Sequence, residues 1–204
     1  MTIFEHPVRL ETAEMVTLLQ ERLRVLPPLA QLSQYNLIGS HDIPRPLERM
    51  GGDKNKLRAA FALLLGFPGV PGIYYGDEIG LSGANDPFCR APFPWDETQW
   101  DTDLLEEVKK LVTARRASLV LQQGSLEWLA HTQDGIAFAR VFTHADGRVD
   151  SAIITATRAE GETMSVDVTG LGKLEWTNAV SGEVLKARDG RLEVTVSRGG
   201  LMLI

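Results

Sequence analysis

The spacing of apolar residues changes once along this chain, and that single change limits the folds open to it. From about Thr12 to Arg116 apolar side chains recur at helical intervals with short extended runs between, whereas from about Ser125 to Ile204 they alternate between closely spaced turn signals. The change falls between Ala117 and Gly124, so the sequence predicts an α/β unit over residues 1–117 and an all-β unit over residues 118–204.

In the first unit Thr12 is positioned as an N-cap, and Met15, Val16, Leu18, Leu19, Leu23 and Leu26 form a stripe that stops at Pro27-Pro28. Gln34 to Ser40 reads as a short buried strand ending at His41. Asp53 suits the cap of a second helix carrying Leu57, Phe61, Leu64 and Leu65 on one face and closed by Gly66 and Pro68. Gly69 to Gly80, GVPGIYYGDEIG, reads as a second buried strand running into a loop; Leu81 to Gln99 is irregular. Asp101 or Thr102 caps a third helix with Leu104, Leu105, Val108, Leu111, Val112 and Arg115 on its inner side. This order is that of parallel βα units, whose ligands bind at the carboxyl ends of the strands. Both strands end in ionisable residues, His41-Asp42 on one and Asp77-Glu78 on the other.

In the second unit GSLEWLAHTQ, GIAFARVFT, SAIITAT, TMSVDV, LEWTNAV, EVLKAR, RLEVTV and GLMLI read as short strands. They are separated by Asp134-Gly135, Asp146-Gly147, Ser181-Gly182 and Asp189-Gly190, which are hairpin signals. An antiparallel β-sandwich is the expected architecture.

A hydrophobic fraction of 44% with 24% charged residues argues against disorder. A net charge of −6, with Lys and Arg scattered among acids, argues against nucleic acid as the partner; Arg115-Arg116 read as complements to a helix dipole. The one cysteine, Cys89, excludes an internal disulfide and reads as a bland thiol. MTIFEHPVRLETAEM lacks the pattern of a secretion leader, and no apolar run is long enough for a membrane span, so no membrane partner and a cytoplasmic location are expected. His6, His41, His131 and His144 show no metal-ligand spacing, and no glycine-rich stretch has a dinucleotide fingerprint; neither a metal nor a cofactor is expected.

The candidate chemistry lies in the charged corners. His41 and Asp42 face one ligand only if the strand bends there, which Ile43-Pro44 favours; they then suit adjacent sugar hydroxyls, or else simply cap a loop. Asp77 and Glu78 read either as carboxylates of a glycosidase pair or, more plainly, as loop residues bonded to main chain. Asp86 and Arg90, four apart across Pro87, suit vicinal hydroxyls and equally suit each other. Phe93 and Trp95 could stack on a sugar ring, although anchoring of the loop is the favoured reading of Trp95.

SHDIPR at Ser40 to Arg45 resembles the NHD-type region of the α-amylase family of glycoside hydrolases. GVPGIYYGDEIGLSG resembles that family's eighth-strand segment, and GANDPFCRAPFPW its next loop in neopullulanase, cyclomaltodextrinase and maltodextrin glucosidase relatives. The resemblance implies that His41 and Asp42 are transition-state stabilisers at the sugar whose bond breaks, and that Asp86 and Arg90 bind the next sugar. Arg45 matches a further arginine of the region and is assigned to substrate binding. Ser40 and Ile43 depart from the Asn and Thr of the family pattern.

The resemblance also implies what is missing. The family's nucleophile sits in a G-x-R-x-D motif and its acid is a Glu on the next strand; neither motif precedes residue 36. An eight-stranded barrel takes about 250 residues, and about 115 precede the β-rich part here. The expectation is the C-terminal part of a (β/α)8 barrel followed by a sandwich, inactive alone, acting on α-glucan oligosaccharide. It would pair with the missing N-terminal part of the barrel or with a second copy of the chain. The competing reading is a non-catalytic carbohydrate-binding or assembly module.

Overall fold

The computed structural model describes residues 11–197 and 199–204; His6 and most of the stretch read for a leader lie outside the described residues. The first half runs α1 (Thr12–Arg24), α2 (Pro28–Leu32), β1 (Tyr35–Leu37), α3 (Pro46–Arg49), α4 (Lys54–Gly66), β2 (Val70–Gly72), three single 3-10 turns, α5 (Thr102–Ala117) and α6 (Leu119–Gln123). β1 and β2 pair in parallel, Tyr35 opposite Val70 and Leu37 opposite Gly72.

Local chemistry fixes the helix ends. The Asp53 carboxylate accepts from the backbone of Asn55 and Lys56, and that of Asp101 from Leu104, so both expected caps are present. α1 begins one residue earlier than Thr12 predicts. Glu11 and Glu14 make a reciprocal capping box, and Thr12 is a buried first-turn residue whose hydroxyl donates to Gln133 O at 2.5 Å.

The parallel strands are shorter than expected, and they are not buried. Tyr35 is 68% exposed, Leu37 41% and Val70 52%, because among the described residues β1 and β2 form a two-stranded sheet with no further strand on either edge. Beside them an open apolar groove of about 390 Å3 runs between α1, β1 and α4, lined by Leu19, Leu23, Leu37, Leu64, Phe67 and Trp128 among others.

The second half consists of the eight strands read from the sequence: β3 (Ser125–His131), β4 (Gly135–Thr143), β5 (Val149–Thr157), β6 (Glu162–Asp167), β7 (Glu175–Thr177), β8 (Val184–Lys186), β9 (Arg191–Val196) and β10 (Gly200–Leu203). They pair antiparallel in the order β10-β5-β4-β3, with β6-β9 and β7-β8 as separate ribbons. At the turn between β8 and β9 Asp189 and Gly190 both have positive φ, 51° and 75°, as a tight hairpin requires.

The four-stranded sheet is covered on both faces, which explains why β4 and β5 are buried almost throughout. Ala137, Ala139, Ile153 and Leu203 face β6 and β9 together with the wholly buried Trp176. Their alternates Phe138, Ala152, Ile154 and Met202 face Leu57, Phe61, Leu65, Leu104 and Leu121 from α4, α5 and α6. One hydrophobic cluster therefore spans the expected division at residue 117. α4 lies so close to the sheet that a Cβ on Gly66 would stand 2.4 Å from Ile154 Cγ1.

Candidate functional site

The site is the corner where the chain leaves the carboxyl ends of β1 and β2. After β1, Gly39 to Pro44 form an irregular turn whose His41 and Asp42 side chains are 60% and 66% exposed, with Nε2 3.2 Å from Asp42 Oδ1. The turn ends at Arg45, which precedes Pro46 at the first position of α3, a place where a proline's missing N–H costs nothing.

The irregular segment after β2 folds over this corner. Arg45 N–H donates to Gly83 O at 2.8 Å, the Tyr75 hydroxyl to Ala91 O at 2.8 Å, and the Cys89 thiol to His41 O at 3.3 Å. Arg90 Nε donates to His41 O at 3.0 Å and lies 2.9 Å from Asp86 Oδ1, while Nη2 lies 3.5 Å from Asp42 Oδ1. The structure thus brings together four of the five residues singled out as a site: His41, Asp42, Asp86 and Arg90 form one exposed polar strip in which Arg90 bridges two carboxylates. The ion-pair reading of the Asp86–Arg90 couple is the one seen, and such a pair on an exposed surface is held by less than about 1 kcal/mol.

Arg45 lies behind this strip. Its side chain is wholly buried, with Nη1 3.1 Å from Asp77 Oδ1, a further short bond from Nη1 to Tyr75 O, and its guanidinium 4.3 Å and 4.5 Å from the Tyr74 and Tyr75 ring centroids. Asp77 is equally buried, and burial pushes its carboxyl up to about 7 against the opposing pull of Arg45. The plain loop reading of Asp77 is corrected here: it is a buried ion-pair partner. The signal present in the sequence was its place after YYG, two tyrosines and a glycine that wall in a charge. Cys89, read as bland, is buried and serves as a hydrogen-bond donor to the corner.

Phe93 and Trp95 meet edge-on, with ring centroids 4.9 Å apart, but they differ in exposure. Phe93 packs edge-on against Trp100, whose Nε1 donates to Pro94 O at 2.7 Å. Trp95 is 83% exposed and so is not the apolar anchor expected. Among the described residues no three His, Cys, Asp or Glu side chains are grouped to hold a metal ion, and no helix is long and apolar enough to cross a membrane.

Parallel strands with a charged strip at their carboxyl ends, beside an antiparallel sheet, are the arrangement in which α/β proteins bind ligands. Comparison with known proteins makes the class specific. The chain matches the family model "Alpha amylase, catalytic domain" over residues 7–144 and belongs to that family, whose members are glycoside hydrolases acting on α-glucans. It is 34% identical over 195 residues to the cyclomaltodextrinase of Geobacillus thermopakistaniensis, covering 95% of this chain and 32% of that protein. The solved structure of the debranching enzyme from Nostoc punctiforme superposes with a TM-score of 0.79 at 32% identity, covering 96% of this chain and 40% of that one. The cyclic α-maltosyl-(1→6)-maltose hydrolase from Arthrobacter globiformis, solved with its cyclic sugar, gives a TM-score of 0.76 at 27% identity, covering 98% of this chain and 41% of that one. The chain spans about a third of the length of the cyclomaltodextrinase it matches.

Proposed function

We propose that this chain is the C-terminal segment of a retaining glycoside hydrolase acting on maltodextrin- or cyclomaltodextrin-type α-glucans. Residues 1–117 are the last two βα units of a (β/α)8 barrel with a preceding helix, and residues 118–204 its β-sandwich domain. The observation that carries the reading is the strip in which Arg90 joins Asp42 to Asp86 with His41 alongside. A neighbouring imidazole and carboxylate can hold adjacent hydroxyls of one sugar, and the Asp86–Arg90 couple can exchange its mutual bond for two hydroxyls of the next.

In this role His41 and Asp42 stabilise an oxocarbenium-like transition state through hydrogen bonds and negative charge. They neither attack the anomeric carbon nor protonate the leaving oxygen. The nucleophile and the acid are supplied by strands outside this chain, and those strands cover the open edges of β1 and β2 and the groove beside them. The cyclic maltosyl-maltose held by the Arthrobacter hydrolase and the name of the cyclomaltodextrinase support an α-glucan oligosaccharide as the ligand.

The test is turnover of maltotriose or a nitrophenyl maltoside by the purified chain. None is expected, and hydrolysis at a rate above the uncatalysed background overturns the reading. One observation favours a second reading, a non-catalytic carbohydrate-binding module: the Trp95 ring, met edge-on by Phe93, is 83% exposed and offers a stacking face. Calorimetric binding of maltoheptaose by the chain alone, abolished in Trp95→Ala and without hydrolysis, decides for the module.

A further inference from the structure

We infer that Arg45 is a positioning residue: clamped on Asp77 and packed over the adjoining Tyr74 and Tyr75 rings, it holds the loop that carries Asp86 and Arg90 against the His41–Asp42 corner. The inference deepens the glucan-site reading and rests on it for its meaning, although its geometry stands without a sugar.

Three features of the pair argue for a mechanical role. The first is burial: both side chains have no exposed surface, so neither can touch a ligand on the strip above. The second is reach. Arg45 sits at the exit of β1 and Asp77 at the exit of β2, 32 residues away in sequence, and their contact joins the two strand ends that must share one ligand. The third is continuity with the loop. The backbone N–H of Arg45 holds Gly83 O, and Tyr75, whose carbonyl the guanidinium bonds and whose ring it stacks on, holds Ala91 O through its hydroxyl. The loop from Gly83 to Ala91 is thereby fixed at both ends by residues that touch the Arg45 side chain or belong to it. Between those ends lie Asp86, Cys89 and Arg90.

The fit is tight on the opposite side as well. Asp77 Oδ2 occupies the space where a Cβ on Gly39 would sit, 2.1 Å away. Arg45 Nε and Nη2 and Asp77 Oδ2 have no hydrogen-bond partner, so the pair has given up solvation for a fixed shape. A guanidinium suits this better than an ammonium because it is planar, lies over both tyrosine rings and bonds the Tyr75 carbonyl and the Asp77 carboxylate at once.

The single thiol of the chain reports on the loop directly, since Cys89 is wholly buried and bonded to His41 O. Labelling of Cys89 by dithiobis(nitrobenzoate) under native conditions should be slow in the full chain and accelerate about tenfold or more in Arg45→Met, because a bond to a charged group that resists local opening is removed. Arg45→Lys should fall between the two. The thermal midpoint separates this local loosening from a general loss of stability, which would raise labelling only in step with the midpoint. Asp77→Asn, close to isosteric, provides a second test if Arg45→Met does not fold. Labelling of folded Arg45→Met or Asp77→Asn as slow as in the parent chain overturns the inference. Failure of the parent chain to bind maltoheptaose bears on the glucan reading and leaves the thiol result standing.

Discussion

Arg140 Nη1 lies 2.8 Å from the carbonyl oxygen of Gly66, joining the middle of β4 to the last residue of α4. The same guanidinium reaches Leu121 O at 2.9 Å and Gly124 O at 2.6 Å, and from the other side Arg115 Nη1 reaches Leu65 O at 2.7 Å and Phe67 O at 3.2 Å. The carbonyls at a helix C-terminus lack intrahelical partners and carry partial negative charge, so two buried cations meet both needs. Burial, with Arg115 nearby, pushes the Arg140 guanidinium down to about 9, which leaves it charged at neutral pH. Arg140→Met would strand the carbonyls of Gly66, Leu121 and Gly124, and the expected cost is about 3 kcal/mol or more. Arg140→Lys should cost less but still measurably, because an ammonium cannot span the same set. Urea unfolding midpoints check both values.

Arg115 and Arg140 also show where the sequence was legible. The stripe of α5 placed Arg115 correctly on the inner side, and its charge was read as a complement to a helix end; the helix it serves is α4, 50 residues upstream of it at Leu65, as well as its own. The eight antiparallel strands were readable because Asp-Gly and Ser-Gly pairs punctuate alternating runs, and the caps at Asp53 and Asp101 because capping is a local interaction. The lengths and exposure of β1 and β2 were not readable, since a strand's burial depends on neighbours that are not its sequence neighbours. His41, Asp42, Asp86 and Arg90 were singled out by residue type and spacing with a loop-capping or ion-pair reading left open, and their site roles were implied by the family resemblance; their proximity at one corner is what the structure adds. Asp77 was weighed as a glycosidase carboxylate and, more plainly, as a loop residue; its burial against Arg45 was not legible, because that contact spans 32 residues and a carboxylate after a strand looks the same whether it is solvated or buried.

Gly39→Ala tests the packing beneath the corner. The new methyl would stand 2.1 Å from Asp77 Oδ2 and 3.0 Å from Pro46 Cδ, and neither a buried carboxylate nor a proline ring can move aside cheaply. A loss of about 1–3 kcal/mol is expected from overpacking. Gly52→Ala, at a glycine with open space around it but positive φ, should cost about 1 kcal/mol through backbone strain alone. Thermal denaturation of the two variants ranks them.

Asp77→Asn should change how stability depends on pH. The Asp77 carboxyl titrates at about 7 in the folded chain because burial disfavours its charge, and at an ordinary low value when unfolded. Between those values the folded state holds a proton that the unfolded state has lost, so this group makes stability fall as pH rises from about 4 to about 7, with the loss complete above the folded value. Asp53, Asp101 and Asp150 act in the opposite sense, being held below the ordinary range by hydrogen bonds and nearby cations, so their contribution is full above about pH 4 and is lost as pH falls below it. The expected result is that the downward slope between pH 4 and 7 flattens in Asp77→Asn while the acid limb is unchanged. An identical profile in both chains would remove Asp77 as its source.

Self-association should run through the open strands. Among the described residues β1 and β2 have no strand on their outer edges and expose apolar side chains at Tyr35, Leu37, Val70 and Ile73, a combination that recruits further strands unless a charge interrupts it. The chain alone is expected to elute from a sizing column larger than a monomer and to shift with concentration. Leu37→Lys and Val70→Lys each place a charge on this surface at positions that are already half-exposed, so they should leave the unfolding midpoint within about 0.5 kcal/mol while moving elution toward the monomer. If the parent chain is monomeric at every concentration, the open edges are satisfied within the chain itself. If both lysine variants associate as strongly as the parent, the contact lies elsewhere, and the groove between α1 and α4 becomes the surface to mutate next.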